Sequence, residues 1–220
     1  MGGFGKSKES LDHRIQEAII AGVLEPGQSV TEAWLCDYLK VSRTPVREAL
    51  IRLESAGLVK IVKNKGAFIR EITPLDISEI FELRILLESH AARVCIDFMD
   101  QDELHRLAQE FKQVVQDGKS DSEKTAMGYK LHQFIMESTG NRRLKSLVGI
   151  LNTQIVWVRS FATMVPGRVD RSFQEHLELI QALVDKDGER AGKAMEAHLT
   201  RTRDEMLDPA HMRIYQRMLK

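Results

Sequence analysis

The sequence predicts a mainly α-helical protein, with an N-terminal winged helix-turn-helix followed by an all-helical bundle of six or seven helices. Two patterns carry this prediction. Up to residue 70, three short amphipathic segments precede two short alternating segments joined by a glycine-containing turn, which is the element order of a winged helix-turn-helix. From residue 76 onward, apolar residues recur at helical spacing without a convincing strand. We therefore expect a domain at residues 1–72, a hinge at 73–75 and a helical domain at 76–220.

The third helical segment is the centre of the N-terminal part. Ser42 is a good N-cap residue, whose hydroxyl we expect to accept an N–H of the first turn, and Gly57 is a good stop signal. Between them, four apolar residues share one face of the helix: Val46, Ala49, Leu50 and Leu53. Arg43, Thr44 and Arg47 project away from that face, and arginines placed this way can bind guanine edges or phosphates in a major groove. A surface helix with solvated arginines is the alternative interpretation of this segment alone.

The segments around this helix favour the DNA-binding interpretation. An amphipathic helix begins at Leu11, Ser29-Val30 can form a short extended piece, and residues 58–62 and 67–70 are typical of a β-hairpin. These elements complete the order expected of a winged helix-turn-helix.

The tip of the hairpin adds basic charge to the same domain. Lys63, Lys65 and Gly66 lie at the turn, where a glycine allows the backbone to approach the minor groove or its phosphates closely. Residues 40–70 include eight basic and two acidic side chains, although the whole chain has a net charge of zero. A local basic patch of this kind predicts binding to the DNA backbone.

The helical part contains three histidines on apolar helix faces. Its predicted helices are 76–98, 102–115, 122–138, 143–161, 170–185 and 188–207. His132, His176 and His198 lie on the third, fifth and sixth of these. Imidazoles that point into one bundle from separate helices suit zinc, nickel or a similar divalent transition metal, whereas a single such histidine is more often a hydrogen-bonded core residue. Spacing alone leaves both interpretations open.

Arg84 lies at the edge of the buried stripe on the first helix of this part. It either points inward or forms an ion pair with Glu88, one turn later on the same helix. An inward guanidinium beside a cation favours an anionic ligand, and its bidentate geometry favours a carboxylate.

Residues 11–72 resemble the DNA-binding domain of the GntR family of bacterial transcription regulators. The segments AIIAGVLEPGQSVTE, LKVSRTPVREALIRLESAGLV and NKGAFI carry the resemblance. It implies that Arg43, Thr44 and Arg47 read or clamp the operator and that Gly66 approaches it from the wing. Many relatives have an arginine at the position of Ala33, so we expect one DNA contact of the family to be absent here.

Residues 75–207 resemble the FCD effector domain of the FadR-like branch, a helical bundle that binds small ligands. The segments FELRILLESHAA, LHQFIMESTGN and EHLELIQALVDKDGERAGKAMEAHL carry this resemblance. Metal-binding members use one aspartate and three histidines, and this chain matches the histidine positions with His132, His176 and His198. The aspartate position is Gly128 here, so the resemblance implies a weaker three-histidine site. It also matches Arg84 to an arginine that relatives often turn into the pocket.

These features predict a homodimeric transcription regulator that binds a double-stranded palindromic operator and responds to a small carboxylate effector. The effector changes operator affinity by favouring one arrangement of the helical domain. A regulator for which the metal ion is itself the signal is one alternative. The other is a metal-dependent hydrolase with a DNA-binding module, which we disfavour because no clear general base or nucleophile motif accompanies the histidines. We therefore expect that the chain is not an enzyme.

Cysteine usage and hydropathy predict the compartment. Cys36 and Cys95 have no CxxC partner, which is typical of reduced thiols in a cytosolic protein. No apolar run approaches about 18 residues, and the start of the chain lacks the apolar region of a signal peptide. We therefore expect a cytoplasmic protein without a membrane segment.

Overall fold

The computed structural model describes residues 10–63 and 65–218 of the chain. They form two compact units. The first extends to Ile72 and includes Thr153–Ser160, and the second comprises Thr73–Asn152 and Phe161–Met218. The division of the chain into two functional domains joined by a hinge stays a prediction.

Up to Ile72, the described residues form three helices and a three-stranded sheet. The helices are α1 (Leu11–Ile20), α2 (Glu32–Leu39) and α3 (Arg43–Ser55), and the strands are β1 (Ser29–Val30), β2 (Val59–Val62) and β3 (Gly66–Ile69). Both outer strands are antiparallel to the central strand β3, with Val30 opposite Ala67 and Val62 opposite Gly66. The predicted winged helix-turn-helix is confirmed.

Capping differs between the second and third helices. The Thr31 side chain accepts a hydrogen bond from the Trp34 N–H at 3.1 Å and caps α2. Ser42 is the N-cap residue of α3 but makes no capping bond with its side chain, so that part of the prediction is wrong. Pro45 stands at the third helical position and has no N–H, which removes one of the two backbone donors that an N-cap hydroxyl can bind.

Beyond Ile72, the described residues form seven α-helices and one short 3-10 turn. The helices are α4 (Pro74–Val94), α5 (Gln101–Gln116), α6 (Asp121–Glu137), α7 (Arg142–Ala162), α8 (Arg168–Val184), α9 (Gly188–Leu207) and α10 (Pro209–Met218), with the turn at Cys95–Asp97. The mainly helical fold class is confirmed. No helix within the described ranges is long and apolar enough to cross a membrane.

The residues predicted as a hinge are the start of α4 in the structure. Thr73 is the N-cap, and its hydroxyl accepts a hydrogen bond from the Asp76 N–H at 3.1 Å. The Asp76 carboxylate accepts one in return from the Thr73 N–H at 2.9 Å. Pro74 follows as the first helical residue, where its missing N–H is no loss. The proline therefore starts α4 at the beginning of the second compact unit, and a hinge function for residues 73–75 stays a prediction.

Helices α4 and α9 pack closely because two glycines remove side chains from their contact. Gly188 and Gly192 lie one turn apart on α9. A Cβ at Gly188 would lie 2.3 Å from the carbonyl oxygen of Arg93, and one at Gly192 would lie 3.1 Å from the carbonyl oxygen of Ser89. This contact sets the helix that carries His198 against α4.

Replacing Gly188 with alanine is expected to lower the free energy of unfolding by about 1–3 kcal/mol, because the added Cβ forces α9 away from α4. Urea unfolding followed by circular dichroism measures the change. Gly149→Ala is the matched control, since a Cβ there meets no atom within 4 Å and alanine favours the helix. A Gly188→Ala variant as stable as the wild type would contradict the close approach.

Candidate functional site

Helix α3 presents the predicted DNA-contacting side chains to solvent. Four apolar residues form its buried face, as predicted: Val46, Ala49, Leu50 and Leu53. Arg43, Thr44 and Arg47 are exposed on the same helix. Their contact with DNA stays a prediction, and their exposure to solvent is consistent with it.

Arg47 is held by an acidic residue of the preceding helix. Its Nε donates to Oε1 of Glu32 in α2 at 2.6 Å, and this hydrogen bond raises the pKa of Arg47. Arg52, later in α3, donates instead to Asp12 of α1, with 3.0 Å between Nε and Oδ1. The structure thus positions the guanidinium of Arg47 against α2 and that of Arg52 against α1.

The predicted wing tip is exposed. Lys65 and Gly66 are both accessible to solvent, and Gly66 has a φ of +97°, where a residue with a Cβ is strained. Lys63 is exposed as well, and Asn64, which lies between the two lysines, is outside the described residues. Ala33, at the position of the family arginine, is exposed on α2.

Three buried histidines from three helices meet in the helical bundle. His132 lies on α6, His176 on α8 and His198 on α9, and their exposed fractions are 6%, 4% and 5%. One ligand nitrogen from each ring lies within 4.8 Å of the others. Nε2 of His132 is 3.2 Å from Nε2 of His176. The convergence that sequence spacing left open is therefore present.

Two of these histidines are bonded to carboxylates, one buried and one partly buried. Nδ1 of His132 lies 2.5 Å from Oε2 of Glu88 in α4. Nδ1 of His198 lies 2.7 Å from Oε2 of Glu175 in α8. An ionised carboxylate only accepts hydrogen bonds, so the Nδ1–H group of each imidazole is the donor. The neutral form of each ring then carries its lone pair on Nε2.

The surroundings keep both carboxylates ionised. Burial by itself raises the pKa of Glu88, but the charges of Arg84 and His132 outweigh it and hold this pKa well below its usual range. Burial also raises the pKa of Glu175, but hydrogen bonds from its imidazole and guanidinium partners outweigh it and lower this pKa to about 2. Burial lowers the pKa of His198, which favours the neutral imidazole.

Arg84 points inward and pairs with Glu88 at the same time. Its Nε donates to Oε1 of Glu88 at 2.8 Å, and both residues are 3% exposed. Its guanidinium carbon lies 5.0 Å from the centre of the Phe81 ring. The two sequence-based alternatives for Arg84 are therefore compatible with each other.

A second ion pair, in which only the arginine is fully buried, adjoins the histidines and was not among the sequence-based predictions. Arg168, the first residue of α8, is 2% exposed and donates Nη2 to Glu175 and Nη1 to Glu205. Arg168 and Glu175 are seven residues apart and therefore share one face of their helix. An opposite-charge pair on the apolar face of α8 was the signal that could have revealed it.

Gly128 makes room for one of the histidine rings. A Cβ at this position would lie 2.6 Å from Cε1 and 3.0 Å from Nδ1 of His176. The ring of His176 would have to shift to admit any larger residue. The position that holds an aspartate in metal-binding relatives is therefore covered by an imidazole in this chain.

The donor set fits a divalent transition metal. Neutral imidazole nitrogens suit zinc, nickel and similar ions, whereas magnesium and calcium prefer oxygen ligands. Two nitrogens that bind the same tetrahedral zinc, each at about 2.0–2.1 Å, are about 3.3 Å apart. The Nε2 atoms of His132 and His176 are 3.2 Å apart. Carboxylate partners at Nδ1 are also usual for metal-binding histidines.

Comparison with known proteins matches both parts of the chain. Residues 7–69 match the family described as bacterial regulatory proteins, gntR family, and residues 79–201 match the FCD domain. The HTH-type transcriptional regulator YdhC of Bacillus subtilis (strain 168) is 30% identical over 84% of this chain and 84% of that protein. The Nta operon transcriptional regulator of Aminobacter aminovorans is 28% identical over 83% of this chain and 86% of that protein.

Solved structures share the fold. A GntR transcriptional regulator from Rhodococcus sp. RHA1 superposes with a TM-score of 0.70 at 22% identity, over 90% of this chain and 96% of that one. E. coli McbR/YncC does so with a TM-score of 0.67 at 19% identity, over 96% and 97%. Family matches to both parts of the chain, together with a regulator similar over most of its length, establish that this protein belongs to the GntR family of DNA-binding transcriptional regulators and carries an FCD domain.

Proposed function

We propose that this regulator controls transcription by binding operator DNA through α3 and the wing, with an affinity set by a small carboxylate effector in the helical bundle. The observation that carries this proposal is the convergence of three buried imidazoles in a network that also includes an inward-pointing arginine. Effector and operator binding are linked by one coupling free energy, so each ligand changes the affinity for the other by the same factor.

Two groups of residues contact the operator. Arg43, Thr44 and Arg47 lie on an exposed helix of the size and position that enters the major groove in helix-turn-helix proteins. Arginines there bind guanine with two hydrogen bonds or clamp phosphates. Lys65 and Gly66 at the wing contact phosphates, which fixes position on the duplex without reading sequence.

Replacing Lys65 with alanine is expected to weaken binding to the operator and to unrelated DNA by the same factor, because a phosphate contact carries no sequence information. The slope of log affinity against log salt concentration is expected to fall by about 1. Fluorescence anisotropy with both duplexes at several salt concentrations measures both quantities. Lys112→Ala, at an exposed position on α5, is the control. A loss confined to the operator, with an unchanged slope, would contradict a phosphate contact.

The metal site is formed by His132, His176 and His198. When bound, a divalent metal such as zinc supplies a Lewis-acidic centre with positions left for water or a ligand carboxylate. The three rings hold it with neutral nitrogens, and their burial excludes bulk water from it. This part of the proposal is supported by the mutual distances of the ring nitrogens and by the carboxylate partners at Nδ1.

Restoring the family aspartate with Gly128→Asp is expected to weaken zinc binding by about tenfold or more, the scale seen when the groups that orient a metal-binding histidine are disturbed. The new Cβ would displace the ring of His176 before the carboxylate gains a contact. Competition with a chromophoric chelator measures the affinity. Gly149→Asp, where a Cβ meets no atom within 4 Å, controls for the added charge. Tighter binding by Gly128→Asp would show that the fourth ligand position is still open.

Arg84 selects the charge of the effector. It is buried and already donates to Glu88, but a guanidinium has five N–H donors and can bind a second carboxylate. Beside a cation, a buried guanidinium favours an anion, and its planar fork matches a carboxylate. The effector class that fits this site is therefore a small organic acid.

The test is a thermal-shift screen of small mono-, di- and tricarboxylic acids against the protein as isolated, after removal of metal with a chelator, and after reloading with zinc. A ligand at a hundred times its dissociation constant stabilises the folded state by about 2.7 kcal/mol, which raises the melting temperature by several degrees. We expect an acid that stabilises only the metal-loaded protein. An acid that stabilises the loaded and stripped forms equally would refute the metal-bound effector.

A regulator for which the metal itself is the signal is the second candidate, and the same buried histidine cluster favours it. Operator affinity that follows zinc concentration with no organic acid present would support this candidate over the first. Relatives of the chain are named as transcriptional regulators, which favours both over a metal-dependent hydrolase.

We also propose that the protein acts as a homodimer. A two-fold dimer matches a palindromic operator, as in other helix-turn-helix proteins. Leu83 and Leu86 on α4 are 42% and 68% exposed, and a second copy of the chain is the partner we expect to cover them. Sedimentation equilibrium of the wild type and of Leu86→Glu tests this proposal. We expect the variant to shift toward monomer. An unchanged mass would contradict a dimer interface at Leu83 and Leu86.

A further inference from the structure

Two hydrogen-bonded series of charged groups, buried or partly buried, end at the histidine cluster. In the first, Arg84 donates to one oxygen of Glu88, and the other oxygen lies 2.5 Å from Nδ1 of His132. In the second, Arg168 donates to Glu175, whose Oε2 lies 2.7 Å from Nδ1 of His198. Each series therefore has the same order of arginine, glutamate and histidine, with the arginine and glutamate on one helix and the histidine on another.

The order of groups in each hydrogen-bonded series decides which ring nitrogen is available to bind a metal. An ionised carboxylate cannot donate, so Glu88 and Glu175 each fix a proton on the Nδ1 atom that faces them. Nε2 of His132 and of His198 is left with its lone pair. Nε2 of His132 faces Nε2 of His176 at 3.2 Å, which places the lone pair at the shared centre of the cluster.

The arginines keep the two carboxylates from coordinating a metal directly. Arg84 binds the oxygen of Glu88 that His132 does not use, and Arg168 and Arg201 both donate to Glu175. A carboxylate with both oxygens engaged is held away from the position of a metal ligand. The glutamates therefore act on the metal site through the imidazoles and not by direct coordination.

We propose that Glu88 and Glu175 are the positioning residues of the metal site, which select Nε2 of His132 and His198 as the metal-binding atoms. The inference rests on the proposed function, because it takes the three histidines as the metal site. Outer partners of this kind orient the ring and increase its basicity, and their loss costs about 10- to 100-fold in metal affinity. The alternative role for the two glutamates is only to neutralise the buried arginines.

Glu175→Gln is the decisive variant, since Glu175 is more accessible than Glu88 and its side chain is 11% exposed. The matched control is Glu205→Gln, because Glu205 also accepts from Arg168 but is bonded to none of the three histidines. Zinc affinity is measured on the full-length protein by competition with a chromophoric chelator. We expect a loss of about 10- to 100-fold for Glu175→Gln and a change within about twofold for Glu205→Gln. A similar loss is expected for Glu88→Gln where that variant folds.

Nitrogen NMR of histidine-labelled, zinc-loaded protein reads the binding atom directly. We expect His132 and His198 to carry a proton on Nδ1 and the metal on Nε2 in the wild type. Metal on Nδ1 of either ring, or equal zinc affinity of Glu175→Gln and the wild type, would overturn the inference. Failure of the wild type to bind zinc is a different result, because it would overturn the proposed metal site itself and the inference with it.

Discussion

Replacing Glu88 with alanine is expected to destabilise the helical bundle by about 3–5 kcal/mol, the largest effect on stability that we expect from a single substitution in this protein. Glu88 and Arg84 are 3% exposed and joined at 2.8 Å. Removing the carboxylate leaves the guanidinium charge buried without its partner, and it also removes the acceptor of Nδ1–H of His132. The cost arises from the group left behind more than from the bond that is lost.

Urea unfolding in the presence of a chelator measures this effect without a contribution from bound metal. Glu110→Ala is the control, since Glu110 pairs with Lys130 at the surface and such pairs contribute at most about 1 kcal/mol. The double variant Arg84→Met with Glu88→Leu is expected to cost much less than Glu88→Ala, because it leaves no unpaired charge. A Glu88→Ala variant within about 1 kcal/mol of the wild type would show that Arg84 reaches water or another partner.

Replacing Arg47 with alanine is expected to weaken operator binding by about 1–3 kcal/mol, roughly 5- to 150-fold. The guanidinium is exposed on α3, and Glu32 of α2 holds it at 2.6 Å. Its removal takes away a base or phosphate contact and also leaves the Glu32 carboxylate without a cation beside the DNA. Fluorescence anisotropy on a duplex that the protein selects from a random-sequence pool measures the change.

Two variants separate the contributions to this loss. Arg52→Ala is the matched control, because Arg52 lies on the same helix but is bonded to Asp12 of α1. Its operator affinity is expected to stay within about threefold of the wild type, as suits a surface ion pair. Glu32→Ala with Arg47→Ala is expected to recover the part of the loss due to repulsion by the carboxylate. Equal losses for Arg47→Ala and Arg52→Ala would contradict the assignment of Arg47 to the base-reading surface.

The inner and outer faces of α3 could be predicted from the sequence because they depend only on helical spacing. The four apolar residues fall on one side of the helix, and the arginines fall elsewhere. The environment of Ser42 is also local, since Pro45 lacks one of the two N–H groups that could bind its hydroxyl. The start of α4 at Pro74 differs from the start at residue 76 that the sequence predicts, because a proline is well tolerated in the first turn of a helix.

The candidate metal site was only partly predictable. Helical spacing placed His132, His176 and His198 on apolar faces, but their convergence depends on how three helices pack, which spacing does not contain. The surroundings of Gly128 could not be predicted either. The sequence shows that the aspartate ligand is missing, but only the packing of the helices shows that the ring of His176 covers its position. The role of Glu175 follows from its contact with His198, which joins α8 to α9 and links residues 23 positions apart in the sequence.

The most direct test of the regulatory proposal compares operator affinity with and without the organic acid that the thermal-shift screen identifies. The comparison uses zinc-loaded wild type, chelator-stripped wild type and His176→Ala. We expect the acid to change the dissociation constant of the loaded wild type by about 5- to 150-fold, and to have no effect on the stripped protein or on His176→Ala. An acid that changes operator affinity equally in all three proteins would contradict control through the histidine site.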